Sequence, residues 1–138
     1  MIEASVYNIL SNDSTITAVV SDRIYHMRSP QNAVYPNITY QRRGTQRNRH
    51  LRGPSGLTRG SFQVDCWAKT QGGARTLAEY VRLRLDNKSG DWGDHNIQRV
   101  YLDEDLDGWE WEIAGKDAII GRVTMVFAVW FSEAATAS

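Results

Sequence analysis

Residues 37–69 read NITYQRRGTQRNRHLRGPSGLTRGSFQVDCWAK, and the two ends of this stretch share one pattern. From Asn37 to Arg43, Ile38 and Tyr40 fall on one side and Asn37, Thr39 and Gln41 on the other. That alternation is the mark of a half-buried strand. From Ser61 to Lys69 it returns, with Phe62, Val64, Cys66 and Ala68 on the apolar side and Gln63, Asp65, Trp67 and Lys69 opposite. Two such strands in succession predict an antiparallel hairpin. Between them Gly44, Gly53, Pro54, Gly56 and Gly60 predict a long loop at its tip.

Outward from the hairpin the period changes. Ala74, Leu77, Ala78, Val81 and Leu85 recur at helical spacing, which predicts the principal helix over Ala74 to Asp86. Ile2 to Leu10 reads as a short amphipathic helix, and Asp13 or Ser14 offers an N-cap for a second one carrying Ile16, Val19 and Val20. Ile24-Tyr25 is a brief extended piece. Ile97 to Leu106 and Gly108 to Ile113 are expected to be strands around a turn. In the last strand Val123, Met125, Phe127, Val129 and Phe131 make one wholly apolar face over a mixed one, so its place is central in the sheet. The expected class is α+β: a mainly antiparallel sheet with helices on one face. Residues 1–132 are expected to form one domain, with 133–138 a fraying tail.

At 138 residues the chain suits one core. The acid in MIEASVYNIL speaks against a secretory leader, and the apolar run Val123 to Phe131 is far short of the ~20 residues that span a bilayer. A soluble protein made in the cytoplasm is expected, and the single Cys66 suits a reducing compartment. Net charge is zero, yet unevenly laid out. Eight arginines and no acid lie between Arg23 and Val64, and ten acids against Lys88, Arg99 and Lys116 lie between Asp86 and Asp117. Segments of opposite sign either neutralise one another within a fold or draw copies together head to tail.

The usual chemistry is missing. Cys66 sits on the apolar side of a strand, His26, His50 and His95 are scattered among polar segments, and neither a zinc spacing nor a phosphate-binding glycine loop occurs. No cofactor, metal or catalytic residue is therefore assigned, and the chain is not read as an enzyme. Asp103-Glu104-Asp105-Leu106-Asp107-Gly108 imitates the opening of a calcium loop, but the twelfth position is Ala114 and Glu112 comes early, so an acidic turn is expected. Together with Glu110 and Glu112, Asp103, Glu104, Asp105 and Asp107 make an acidic surface. Trp109 and Trp111 alternate beside it, as interface anchors or as core.

Arg42, Arg43, Arg47, Arg49, Arg52 and Arg59 in the hairpin loop admit two readings. They could track a phosphate backbone, with transient DNA contact. Against that, no aromatic lies between Tyr40 and Phe62 to stack a base, and the overall charge is neutral. Docking on carboxylates of a neighbouring subunit fits better, because guanidinium pairs with carboxylate in a fixed fork.

Three further stretches, in order, carry a resemblance. They are SDRIYHMRSPQNAVYPNITY at 21–40, FQVDCWAKTQGGARTLAEYVRLRL at 62–85 and RVTMVFAVWF at 122–131. Over roughly Ile2 to Phe131 the chain resembles the tail-completion, or tail-terminator, proteins of long-tailed bacteriophages. The resemblance implies a ring, typically of six subunits, on the end of a completed tail tube. Such a ring stops tube polymerisation and receives the head connector or stopper protein, and DNA passes through its lumen. It implies a place in the virion neck after assembly in the host cytoplasm, with no membrane and no enzymatic residues. The alternatives are a head-completion or connector protein of the same neck, or a small DNA-binding protein using Arg42 to Arg59. The segment Gly44 to Gly60 is longer and richer in arginine than the family's pattern, so its role does not come from the resemblance; Arg42 to Arg59 are expected either to reach the adjoining subunit or to line the lumen.

Overall fold

The computed structural model describes residues 2–28, 34–50, 53–92, 95–111 and 119–132. At 2–4, 44–50, 53–58, 91, 92, 95, 96, 98, 109–111, 119 and 132 the description is of the backbone. The elements are α1 (Ile2–Ser11), α2 (Ser14–Val20), β1 (Ile24–His26), β2 (Asn37–His50), β3 (Gly53–Ala68), α3 (Gln71–Leu85), β4 (Gly90–Trp92), β5 (His95–Trp111) and β6 (Ile119–Ser132). The strands form one six-stranded sheet in the order β1-β2-β3-β6-β5-β4. All pairings are antiparallel except β1 with β2. The α+β expectation is met, with β6 central as its apolar face required.

One face of the sheet meets the helices. Val6 and Leu10 of α1, Ile16 and Val20 of α2, and Ala74, Leu77, Ala78, Val81 and Leu85 of α3 are buried in one cluster. From the sheet the cluster takes Phe62, Val64 and Cys66 of β3 and Val123, Met125, Phe127 and Val129 of β6. These are the residues that period 2 and period 3.6 place on the apolar sides of their elements. Asp13 decides where α2 begins, because its carboxylate accepts from the backbone N–H of Thr15 at 2.9 Å and of Ile16 at 3.1 Å. No described helix is long and apolar enough to cross a membrane.

Helix α3 starts three residues before its predicted beginning at Ala74. Thr70 is the N-cap, its hydroxyl accepting from the Gly73 N–H at 3.0 Å, so Gln71-Gly72-Gly73 is the first turn. Thr70→Ala should cost about 1 kcal/mol, read in a denaturant melt, while Thr70→Ser should cost much less.

Three more sequence expectations are corrected. The Arg-rich segment is not a loop: β2 runs on to His50 and β3 begins at Gly53, so the hairpin arm is laddered nearly to its tip. Gly44 lies at one irregularity of register, between Arg42 and Gly44, and a second falls between Arg47 and Arg49. An irregularity of this kind absorbs an extra residue without ending the ladder. Second, Asp107-Gly108 is not a turn. The strand β5 is continuous, with Asp107 opposite Val123 and Gly108 opposite Arg122. Third, the short β4 flanks the start of β5, where the sequence predicts no strand, while Ile24–His26, the expected extended piece, pairs in parallel with Ile38 to Tyr40. The tail at 133–138 lies outside the described residues.

Cys66 is fully buried, as its position on the apolar side predicted. Burial first, and then the nearby Asp65 carboxylate, push its thiol pKa far up. The folded protein should therefore not react with a neutral-pH thiol reagent, and full labelling should appear only as the protein unfolds in denaturant.

Candidate interaction surfaces

Because alternate residues of a strand face opposite ways, Thr39, Gln63, Asp65, Trp67, Thr124 and Trp130 lie on the face away from the helices. Polar bonds cross this face from strand to strand. Arg43 Nη1 donates to Gln63 Oε1 at 2.8 Å, Gln63 Nε2 donates to Asp65 Oδ2 at 2.8 Å, and the Thr124 hydroxyl donates to Asp65 Oδ1. Asp65, only 9% exposed, thus has both oxygens occupied, as a buried carboxylate requires. Trp67 Nε1 donates to Thr39 Oγ1 at 3.0 Å, and the Arg122 guanidinium lies 5.7 Å from the Trp67 ring centre.

Of the six arginines of the hairpin, Arg42, Arg43 and Arg59 have described side chains. Arg59 is held within the chain: it donates to Asp103 at 3.2 Å and lies 6.0 Å from the Trp130 ring centre. Arg43 is tied to Gln63, and both Arg42 and Arg43 are exposed. Arg47 and Arg49 have strand backbone, with Arg47 opposite Thr58 and Arg49 opposite Pro54. Arg52 lies outside the described residues.

Asp103, Glu104, Asp105, Asp107 and Glu110, expected to belong to an acidic surface, lie on β5, so the segment is strand and not the expected turn. Asp105 accepts from Arg75 Nη1 at 2.8 Å, and Asp107 accepts from Arg75 Nη2. Bonds to these two carboxylates raise the Arg75 pKa further above its already high value. With Arg59 on Asp103, all three aspartates have an arginine of their own chain. Glu104 is exposed. Glu110 pairs through its backbone with Ile120, Trp109 with Gly121 and Trp111 with Ile119, whereas Glu112 lies outside the described residues.

Arg75 is the residue that sequence reasoning misses here. Its position one helical turn after Gln71 sets it over β5, and no local pattern announces a partner thirty residues away. Since the pairs are about a third exposed or more, Arg75→Ala should lower stability by no more than ~1 kcal/mol in a thermal melt. It should, however, make the β5 surface more negative.

Gly108 has a use that its turn-like sequence concealed. A Cβ there would stand 2.7 Å from Arg122 Nη2, so the missing side chain is what lets Arg122 cross β5. Gly121 is tighter still, since a Cβ would stand 2.6 Å from the backbone oxygen of Thr70.

Among the described residues no group of His, Cys, Asp and Glu is placed to hold a metal ion. The arrangement can pair charges and present strand edges.

The family described as Tail completion protein gp17 matches residues 4–134. No curated protein matches the sequence. Among solved structures, a chain of the virion of a native gene transfer agent particle superposes with a TM-score of 0.74. The two are 14% identical, and the match covers 96% of this chain and 95% of that one. At that identity the likeness is one of fold.

Proposed function

The chain belongs to the tail completion protein gp17 family, and from that membership we propose how it works: as a ring on the end of a finished tail tube. In this role it ends tube polymerisation and offers the surface to which the head attaches. The chain is a structural component of a phage tail, and its partners are further copies of itself, in a hexamer, the tube protein and the head connector or stopper. The single observation that carries the reading is the family match across residues 4–134.

The structure supports it in two ways. The one thiol, Cys66, is buried and its pKa is raised, so the strongest candidate nucleophile is disarmed. The chain is proposed to catalyse nothing. Its charge is also disposed for assembly, with the arginine-rich β2 and the carboxylate-rich β5 on opposite sides of β3 and β6. Such a pair of surfaces brings copies together head to tail, the contact type that closes into rings.

Electron microscopy of particles made with the gene inactivated tests the reading. Filled heads beside unattached tails of irregular or excessive length are expected. Tails of normal length that fail to join heads would move the protein to the connector side of the neck. Normal infectious particles would overturn the assignment. The exposed Arg42 and Arg43 favour transient DNA contact as a second role. A duplex titration against salt tests it, because phosphate contacts require affinity that falls steeply as salt rises.

A further inference from the structure

The two long stretches of strand edge in this sheet with no described strand beside them differ in charge. At one side β1 covers β2 only from Ile38 to Tyr40. From Arg43 to His50, β2 has β3 on one flank and no described strand on the other. At the other side, the start of β5 is covered as far as Leu102. Here β4 pairs with His95 to Ile97, the backbone of Asn87 and Lys88 bonds to Val100, and the Asp86 carboxylate accepts from the Leu102 N–H at 2.9 Å. From Glu104 to Trp111, β5 has β6 on one flank and no described strand on the other. The first edge contains Arg43, Arg47 and Arg49, and the second Glu104, Asp105, Asp107 and Glu110.

An uncovered edge is a row of backbone donors and acceptors ready to pair with another chain. Charge decides which chain. Like charges set two β2 edges against each other, and likewise two β5 edges, while β2 against β5 is attractive. The arginines within the chain do not remove this bias: five carboxylates lie from Asp103 to Glu110, and Arg59 and Arg75 answer three of them.

Direction agrees with charge. The three antiparallel pairings β2·β3, β3·β6 and β6·β5 make β5 run opposite to β2. A second copy placed so that the sheet continues would therefore bring its β2 against the first copy's β5 in antiparallel sense.

We propose that a second copy of this chain adds its β2 edge, Arg43 to His50, to the β5 edge, Glu104 to Trp111, of the first, so that one sheet runs on from subunit to subunit. The proposal rests on the ring reading and supplies its contact. It also fixes a stagger. Asp107 lies on the row of Val123, Cys66 and Ile38, and Gln46 on the row of Arg59, Trp130 and Arg99. The two edges are thus offset along the strands by the seven ladder steps from Cys66 to Arg59 on β3, about 24 Å at ~3.4 Å per residue. Neighbouring subunits are displaced by that amount along the strand direction, and the strands are inclined to the ring axis as in any closed barrel.

Cross-linking within assembled tails tests this. The variant carrying Gln46→Cys and Leu106→Cys is produced with all the other virion proteins, and purified tails are treated with a bis-maleimide of about 10 Å reach. Within one chain the two positions are more than ~20 Å apart from strand spacing and rise, and Cys66 is buried. The expected result is a ladder of dimers and higher multiples on a denaturing gel. Arg47→Glu with Arg49→Glu should remove the ladder, and adding Glu104→Arg with Glu110→Arg should restore it. Asn48→Cys with Leu106→Cys, which the antiparallel pairing of Arg43 to His50 with Glu104 to Trp111 sets opposite each other, provides a second geometry. If the wild-type chain is absent from purified tails, the tail reading itself fails. If it is present and neither cysteine pair gives a ladder, the edge pairing alone is overturned.

Discussion

Phe127→Ala should lower stability by about 3–5 kcal/mol, the usual cost of removing a fully buried phenylalanine. For a chain of this size that is a fall in Tm on the order of 10–20 °C. Phe127 stands at the middle of β6, with Phe62 opposite it on β3 and Leu102 opposite it on β5. Its ring stacks on that of Phe62 with centres 5.3 Å apart, and both belong to the cluster that receives α1, α2 and α3. Truncation therefore removes apolar contact from both sides of the central strand and leaves a cavity under the helices. Neighbours in three elements would all have to move inward to close it. Val126→Ala is the control, because Val126 lies on the same strand but points away from the helices, and its loss should cost less than half as much. Equal costs for the two variants in denaturant melts would show that the helix layer does not rest on this face.

The sequence announced this core because its pattern is local. Val123 to Phe131 alternates without a break, and Ala74 to Leu85 keeps helical spacing, so face and partner follow from period alone. What was not legible shares one cause. The continuations of β2 and β3 past Arg43 and before Ser61 hold glycines, a proline and polar residues, composition that signals a loop. Their ladder is imposed by pairing across the hairpin and, from Leu57 onward, by β6. Asp107-Gly108 is the same case on β5. Its turn chemistry is overruled by a partner strand, and the glycine is needed for Arg122 instead. The arginine and acidic segments were visible as charge. That Arg59 and Arg75 answer the aspartates within one chain depends on tertiary placement, which no periodicity encodes.

Reversing three charges at the tip of the hairpin arm, by Arg47→Glu, Arg49→Glu and Arg52→Glu together, should leave the monomer folded and prevent tails from being completed. The two halves of the expectation have separate grounds. The described core residues of β2 and β3, Ile38, Tyr40, Phe62, Val64, Cys66 and Ala68, all lie outside the altered positions, so Tm should move by no more than ~2 °C. Assembly is different, because each subunit contact would then set glutamates against the carboxylates of β5. In some complexes close charge pairs across the interface are net favourable by about 1.5 kcal/mol or more each. A loss of even ~3 kcal/mol per contact weakens association on the order of 100-fold, and in the proposed ring the loss would recur at every subunit. Tails from cells carrying the triple variant should therefore lack the protein, while the purified variant shows the wild-type melt. Replacing the same three residues by lysine keeps the charge and removes the guanidinium fork, so it should weaken attachment without abolishing it. Normal incorporation of the glutamate variant would remove the arm from the subunit contact. If joining then succeeded but DNA delivery failed, the arginines would belong to the lumen.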